Sequence, residues 1–177
     1  MNDEFRLANT EDIPQIWSIL QEAIQRRKED GSNQWQDGYP NPKLIQNDIE
    51  NGNGYVLAEG DTILGYTALL ISDEPEYDRL EGEWLTNGDF VVFHRVAISG
   101  KHLGKGLAKK MMRFIEDFAK ENTIYSIKAD TNHDNPAMMR LFEKLGYIYC
   151  GRVYFRGSPR KAFEKVLSEQ ATTLTDK

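Results

Sequence analysis

The chain has 177 residues, 40% of them hydrophobic and 11% aromatic, enough apolar material for one substantial core, which excludes wholesale disorder. A formal net charge of −6 argues against a general nucleic-acid binder, which needs a basic surface for phosphates, and would suit a cationic ligand. Cys150 is the single cysteine, so an internal disulfide is excluded, and no apolar run reaches membrane-spanning length; with a polar, acidic start (MNDEFRLANTED), the expectation is a cytoplasmic protein.

Glu4–Ala8 reads as a first strand, after which Thr10 is expected to cap a helix in the register Ile13, Ile16, Trp17, Leu20, Ala23 and Ile24, with Glu11 and Asp12 in its first turn. A polar loop from Glu29 to Pro42 carries Gln34, Trp35 and Tyr39, and Leu44 to Asn51 reads as a short second helix. Tyr55–Ala58 and Thr62–Ile71 form a hairpin across Glu59-Gly60-Asp61. A second polar loop, Ser72 to Gly88, leads to VVFHRVAI, whose β-branched run from Val91 to Ile98 predicts a strand buried on both faces. Gly104-Lys105-Gly106 then opens an amphipathic helix carrying Leu107, Met111, Met112, Phe114, Ile115 and Phe118. Ile124–Ala129 is the next strand. Asn135 and Pro136 are a good N-cap and first residue for a helix that Gly146 ends. Tyr147–Phe155 and Lys161–Leu167 close the chain around Arg156-Gly157-Ser158-Pro159, and the residues after Ser168 are small, polar and expected to fray. With neither repeat nor linker, residues 1–170 read as one domain with a polar tail at 171–177, of the mixed α/β class with helices on both faces of the sheet.

A helix start presents unpaired N–H groups and a partial positive charge, so a strand–glycine turn–helix unit is suited to holding a pyrophosphate, although it also occurs as a plain turn. The ATP-type loop does not fit, because no Gly-Lys-Ser/Thr ending is present, and the dinucleotide fingerprint lacks its third glycine. The run Val96-Ala97-Ile98-Ser99-Gly100-Lys101-His102-Leu103-Gly104-Lys105-Gly106-Leu107-Ala108 resembles the acetyl-CoA-binding motif of the GNAT superfamily of N-acetyltransferases, Arg/Gln-x-x-Gly-x-Gly/Ala, with Leu103 where that family usually has Arg or Gln. Downstream, Asn135-Pro136-Ala137-Met138-Met139-Arg140-Leu141-Phe142-Glu143-Lys144-Leu145-Gly146-Tyr147 resembles the family's Asn-x-x-Ala-x-x-Leu-Tyr-x-x-x-Gly-Phe helix. The resemblance extends over Tyr55 to Leu167 and implies a mostly antiparallel central sheet with a splayed central strand pair.

It also implies a chemistry. Backbone groups of Val96 and Ile98, with Ala97 between them, would hold the pantetheine arm of acetyl-CoA, and N–H groups from Leu103 to Ala108 its pyrophosphate, with Asn135 and Phe142 of the second motif completing the cofactor site. Lys105, Lys109 and Lys110 would add positive charge, if they do not simply decorate a solvated helix face. An acceptor amine is protonated at neutral pH and needs a base or a water path. His94 interrupts an apolar strand beside Val96, and imidazole titrates near neutrality, so it is the first candidate, with Glu83, Asp89 and Asp130 behind it; the alternative for His94 is a histidine satisfied within the sheet. Phe142 stands where the family commonly places the tyrosine that protonates the leaving thiolate, which leaves that role to Tyr147, Tyr149 or water, or to no group at all. Arg26, Arg27, Trp35 and Tyr39 are candidates for the acceptor site: two arginines suit a carboxylate or phosphate and equally suit a helix end. The expected activity is acetyl transfer from acetyl-CoA to a primary amine of a small molecule or protein, with no metal, nucleic acid or membrane partner and with a homodimer compatible. A non-catalytic acyl-CoA-binding domain and a nucleotide-binding α/β module are the competing readings.

Overall fold

The computed structural model describes residues 3–168. They form two compact units, the first made of the residues up to Leu69 with Phe93–Phe114, the second of Leu70–Val92 with the residues from Ile115 onward.

In the first unit, β1 (Asp3–Leu7), β2 (Gly54–Glu59) and β3 (Thr62–Ile71, to Leu69) pair antiparallel in sequence order. The helices α1 (Ile13–Glu29) and α2 (Pro42–Glu50) bury Ile16, Leu20, Ala23 and Ile45 with Val56, Tyr66 and Ala97. The cap ahead of α1 is Asn9, not Thr10. Asn9 and Asp12 form a capping box around a short 3-10 turn at Thr10–Asp12, because an asparagine side chain reaches the next N–H groups from an extended backbone. Asp12 also receives two hydrogen bonds from Arg6, at 2.8 and 3.1 Å, and this partner holds its carboxyl below the usual range against the opposing effect of burial. A lowered folded-state value means stability that is present above the free-aspartate pKa of about 4 and lost on acidification. In urea melts at falling pH, Asp12→Asn should therefore show a shallower acid decline than the wild type.

The central strand β5 (Val91–Ile98) contributes Phe93–Ile98 to this unit, and the helix α3 (Leu107–Glu121) contributes its first half. Gly65 lets them approach β3. A Cβ there would lie 2.6 Å from Met111 Cε, 2.8 Å from Ile98 Cδ1 and 3.1 Å from the Ala97 carbonyl oxygen. Methyl ends can shift but the carbonyl cannot, so Gly65→Val should cost about 2 kcal/mol by overpacking, read as a lower urea midpoint.

In the second unit, the first residues of β5 pair in parallel with β6 (Ser126–Thr131), at Val91↔Ile127 and Val92↔Lys128. The strands β6 and β8 (Ser158–Val166), β8 and β7 (Ile148–Phe155), and β7 and the short β4 (Glu81–Gly82) are antiparallel neighbours. α4 (Pro136–Lys144) follows β6, capped by Asn135, whose side chain accepts from the Met138 N–H. The core here is aromatic: Tyr77 meets Trp84, Phe90 and Phe155 over Val92, Val153 and Ala162. Glu164, wholly buried on β8, accepts from the Leu85 and Thr86 N–H groups, the Thr86 hydroxyl and the Ser126 hydroxyl, so it anchors the residues before β5.

Because β5 belongs to both units, the strand order runs β1-β2-β3-β5-β6-β8-β7-β4. The class is the expected one, a mixed and mostly antiparallel α/β sheet, with a two-pair ladder where the splayed pair is expected. Element bounds differ at several ends. β1 runs one residue earlier than read, and α2 starts at Pro42, behind an Asn41 cap. β6 starts at Ser126, because Thr123 turns at φ 59° and Ile124 still bonds back to Ala119. Arg156 and Gly157, at φ 49° and 75°, make a two-residue hairpin turn, so Ser158-Pro159 belongs to β8 and not to the loop. The loop from Ser72 to Gly88 contains a 3-10 turn, Pro75–Arg79, and β4. The tail at 171–177 lies outside the described residues.

Candidate functional site

In the first unit, β5 carries the run that the first motif begins with. Val96, Ala97 and Ile98 are buried, and the chain leaves the strand through a Ser99 N–H bonded to the Leu64 carbonyl. The turn that follows is exposed from Leu103 to Gly106 and is anchored by buried Leu107 as α3 begins, with Ala108 half-buried behind it. Gly104 and Gly106 lie at φ 78° and 74°, and a Cβ on either would meet nothing within 4 Å. Backbone conformation, not crowding, therefore demands glycine at both positions, and space lies open beside two bare residues at a helix start. His102 leaves a buried Nδ1 without a hydrogen-bond partner one residue before this turn. An open positive-φ turn, a helix N-terminus and an orphaned ring nitrogen fit an anionic group laid against the backbone.

His94 and Arg95 interrupt the buried run of β5, and both are half-buried. Arg95 adopts φ 59°, which bends the strand there, and the His94 carbonyl accepts from the Thr67 hydroxyl at 3.1 Å. The Arg95 side chain is buried in a network. Its Nε and Nη2 donate to both oxygens of Asp48 on α2, at 3.1 and 2.7 Å, while Nη1 donates to the Tyr39 hydroxyl at 2.6 Å. The Tyr66 hydroxyl donates to the same carboxylate at 2.7 Å, and burial with that charge pushes the phenol well up. Tyr39 is thereby tied to the central strand. Arg26 Nη2 reaches the Ile98 carbonyl at 3.3 Å, and Glu22 packs with Arg26 over Gly100. Arg27 lies 4.1 Å above the ring of buried Trp35 with its Nε unpartnered, and burial, then the neighbouring Arg26 charge, lower its pKa to about 10. Trp35 is thus a loop anchor stacked under Arg27. Gln34 is buried beside it, its N–H on the Ser32 hydroxyl.

In the second unit, Asp130 lies one residue before the end of β6 with its side chain 4% exposed, accepting from the Tyr77 hydroxyl at 2.7 Å with Arg160 at 3.8 Å. Burial and then Asp130 push the Tyr77 phenol well up. Asp89 accepts from the Ser72 hydroxyl, and Glu83 is exposed, its N–H on the Cys150 carbonyl. Lys128 is 4% exposed, its Nζ 4.4 Å from the Trp84 ring centre and 4.3 Å from that of Phe90, and desolvation lowers its pKa. Phe142 is wholly buried between Tyr147 and Phe163, at 5.0 and 4.7 Å between ring centres.

Comparison with known proteins decides the family. The model of the acetyltransferase (GNAT) family matches residues 16–147, about three quarters of the chain. This chain belongs to the GNAT acetyltransferase family. A GNAT-family acetyltransferase structure from Streptococcus agalactiae is 35% identical over 96% of this chain and 98% of its own, with a TM-score of 0.87. An uncharacterized N-acetyltransferase of Bacillus subtilis, YesJ, is 26% identical over 145 residues, 80% of this chain and 79% of its own. A Salmonella typhimurium structure, solved with its cofactor acetyl-CoA, is 20% identical over 96% of both chains, with a TM-score of 0.67.

As a GNAT acetyltransferase, the chain has acetyl-CoA as its acyl donor. The sequence names the glycine turn and His94 as candidates but does not point to Arg95, Asp48, Tyr66 or Thr67, which the structure bonds to or around the central strand. One signal was available: Arg95 interrupts the apolar run as plainly as His94 does. Asp48 carries no sequence signal, because its role rests on a fold that sets α2 against β5.

Proposed function

We propose that this acetyltransferase acts on a primary amine of a small molecule or protein, with His94 as general base and the Leu103–Ala108 backbone as the pyrophosphate cradle. The observation that carries this reading is the glycine turn, two positive-φ residues with open space beside them at the start of α3. Bound acetyl-CoA supplies the acetyl group as a thioester. Backbone groups of Val96 and Ile98, with Ala97 between them, align the donor. N–H groups of Leu103, Gly104, Lys105, Gly106, Leu107 and Ala108 hold negative charge. Asn135 acts through its cap, which presents the start of α4, and Phe142 through packing. His94 takes the amine proton, since alkylamines with a pKa of about 10.4 arrive charged. Asp130 is engaged by Tyr77 and Arg160, and Glu83 is exposed, so both rank behind His94. Arg26, Arg27, Trp35 and Tyr39 line or support the acceptor side, with Tyr39 tied to Arg95 and Trp35 to Arg27.

Residues 1–170 are read as one catalytic domain in the cytoplasm, open to homodimerisation and with no nucleic-acid partner. A lone cysteine and a net charge of −6 support this reading, and no helix among the described residues is long and apolar enough to cross a membrane. Phe142 supports the second reading, a silent acyl-CoA binder, because a buried phenyl ring has no proton for a leaving thiolate. Calorimetric titration with acetyl-CoA followed by turnover on an amine panel separates the two. Binding with turnover is expected; binding without it would favour the silent domain, and no binding would remove the cradle. In the active enzyme, His94→Ala should flatten the acidic limb of the kcat/KM profile against pH. An unchanged limb would take His94 out of the reaction.

A further inference from the structure

The second unit has two adjoining recesses whose lining includes Tyr147 and Tyr149 but none of the residues assigned above to the base, the donor cradle or the acceptor side. The larger, about 520 Å³, is walled by Met139, Tyr147, Ile148, Tyr149 and Phe163, with Glu143 on its lining. The smaller, about 280 Å³, is lined by His133, Tyr149, Arg152, Pro159, Arg160 and Lys161. They share Tyr149 and Lys161, so an apolar well opens beside a basic one. Neither includes Asn135 or Phe142 of the second motif.

The smaller recess holds an excess of positive charge. Arg152 and Lys161 stand directly opposite each other across the β7–β8 hairpin, and like charges in that position repel. Glu81 faces Arg152 from β4, and Asp130 lies 3.8 Å from Arg160. Lys161 forms no ion pair among the described residues, and no acidic side chain among them lines this recess. Ile148 and Tyr149 are 51% and 54% exposed, so apolar surface is held in water right beside the excess positive charge. A hairpin with a repelling cation pair and an uncovered aromatic wall is stabilised by a ligand that carries both a negative charge and an apolar body.

We propose that this groove of α4, β7 and β8 is a binding site for a small carboxylate with an aromatic body, the ring against Tyr149 and Phe163 and the carboxylate on Lys161 and Arg152. The combined volumes suit a small molecule, being within the range of ordinary ligand pockets. Calorimetry of the full chain with phenylacetate tests it, with phenylacetamide as the uncharged analogue and inorganic phosphate as the anion lacking a ring. Phenylacetate should bind saturably, and loss of the charged contact should weaken phenylacetamide about tenfold. Lys161→Glu and Tyr149→Ala should each weaken phenylacetate about tenfold, with urea midpoints no lower than that of the wild type confirming intact folds. The proposal fails if phenylacetate gives no saturable heat, if phenylacetamide or phosphate binds equally well, or if both variants keep wild-type affinity. Acetyl-CoA affinity, measured on the same wild-type sample, reports separately on the acetyltransferase reading.

Discussion

Asp48→Asn should lower the unfolding free energy by about 3 kcal/mol, because it leaves the Arg95 guanidinium buried without its counter-charge. The side chains of Arg95 and Asp48 are 7% and 9% exposed and meet through two hydrogen bonds, so water cannot readily replace the lost carboxylate. The amide keeps one acceptor oxygen for Tyr66 or Arg95 but supplies no charge to either. Activity should suffer as well. Arg95 holds φ 59° inside a strand, a conformation that costs about 1–3 kcal/mol in a non-glycine residue and persists only while its surroundings enforce it. His94 and Val96 flank that bend, so relaxing it re-aims both, and kcat should drop about tenfold or more even in fully folded protein, in line with the sensitivity of catalysis to small misplacements. Urea unfolding and steady-state rates below the unfolding transition measure the two effects. A stability loss under about 1 kcal/mol would mean that the guanidinium finds solvent. A full loss of stability with an unchanged kcat would confine the pair to a structural role.

Gly106→Trp is the second large effect, and it falls on binding. A tryptophan at φ 74° is strained by about 1 kcal/mol, and its ring fills the open space beside the turn. Anion contacts at a helix start contribute up to about 2 kcal/mol, so acetyl-CoA affinity should fall about 30-fold. Residues 103–106 are exposed, so the melting temperature should change little. Intact affinity by calorimetry would remove the turn from the donor site.

Local chemistry explains which features were legible. β5 was read to the residue because its apolar run ends at glycine on the far side of Ser99. Gly104 and Gly106 were legible because only glycine occupies positive φ cheaply, and Asn135-Pro136 because caps act within one turn. The errors arose where neighbouring elements compete. Ile124 has the β-branched chemistry of a strand residue, yet it completes the end of α3. Pro159 looks like a turn residue, yet it pairs with Tyr154, its missing N–H lying outside the β6 ladder that begins at Lys161.

By itself, the sequence determined the fold class, the positive-φ glycine turn and the family, since each is carried by patterns of residues close along the chain. Tertiary structure alone decided how the charged side chains are used. It set Asp48 against Arg95 across 47 residues, Asp130 against Tyr77 across 53, and Arg27 on Trp35, three pairs that give each of these charged side chains a partner. The physical reason is burial: a charge withdrawn from water must meet a partner in space, and no pattern in the local sequence specifies which one the fold brings to it.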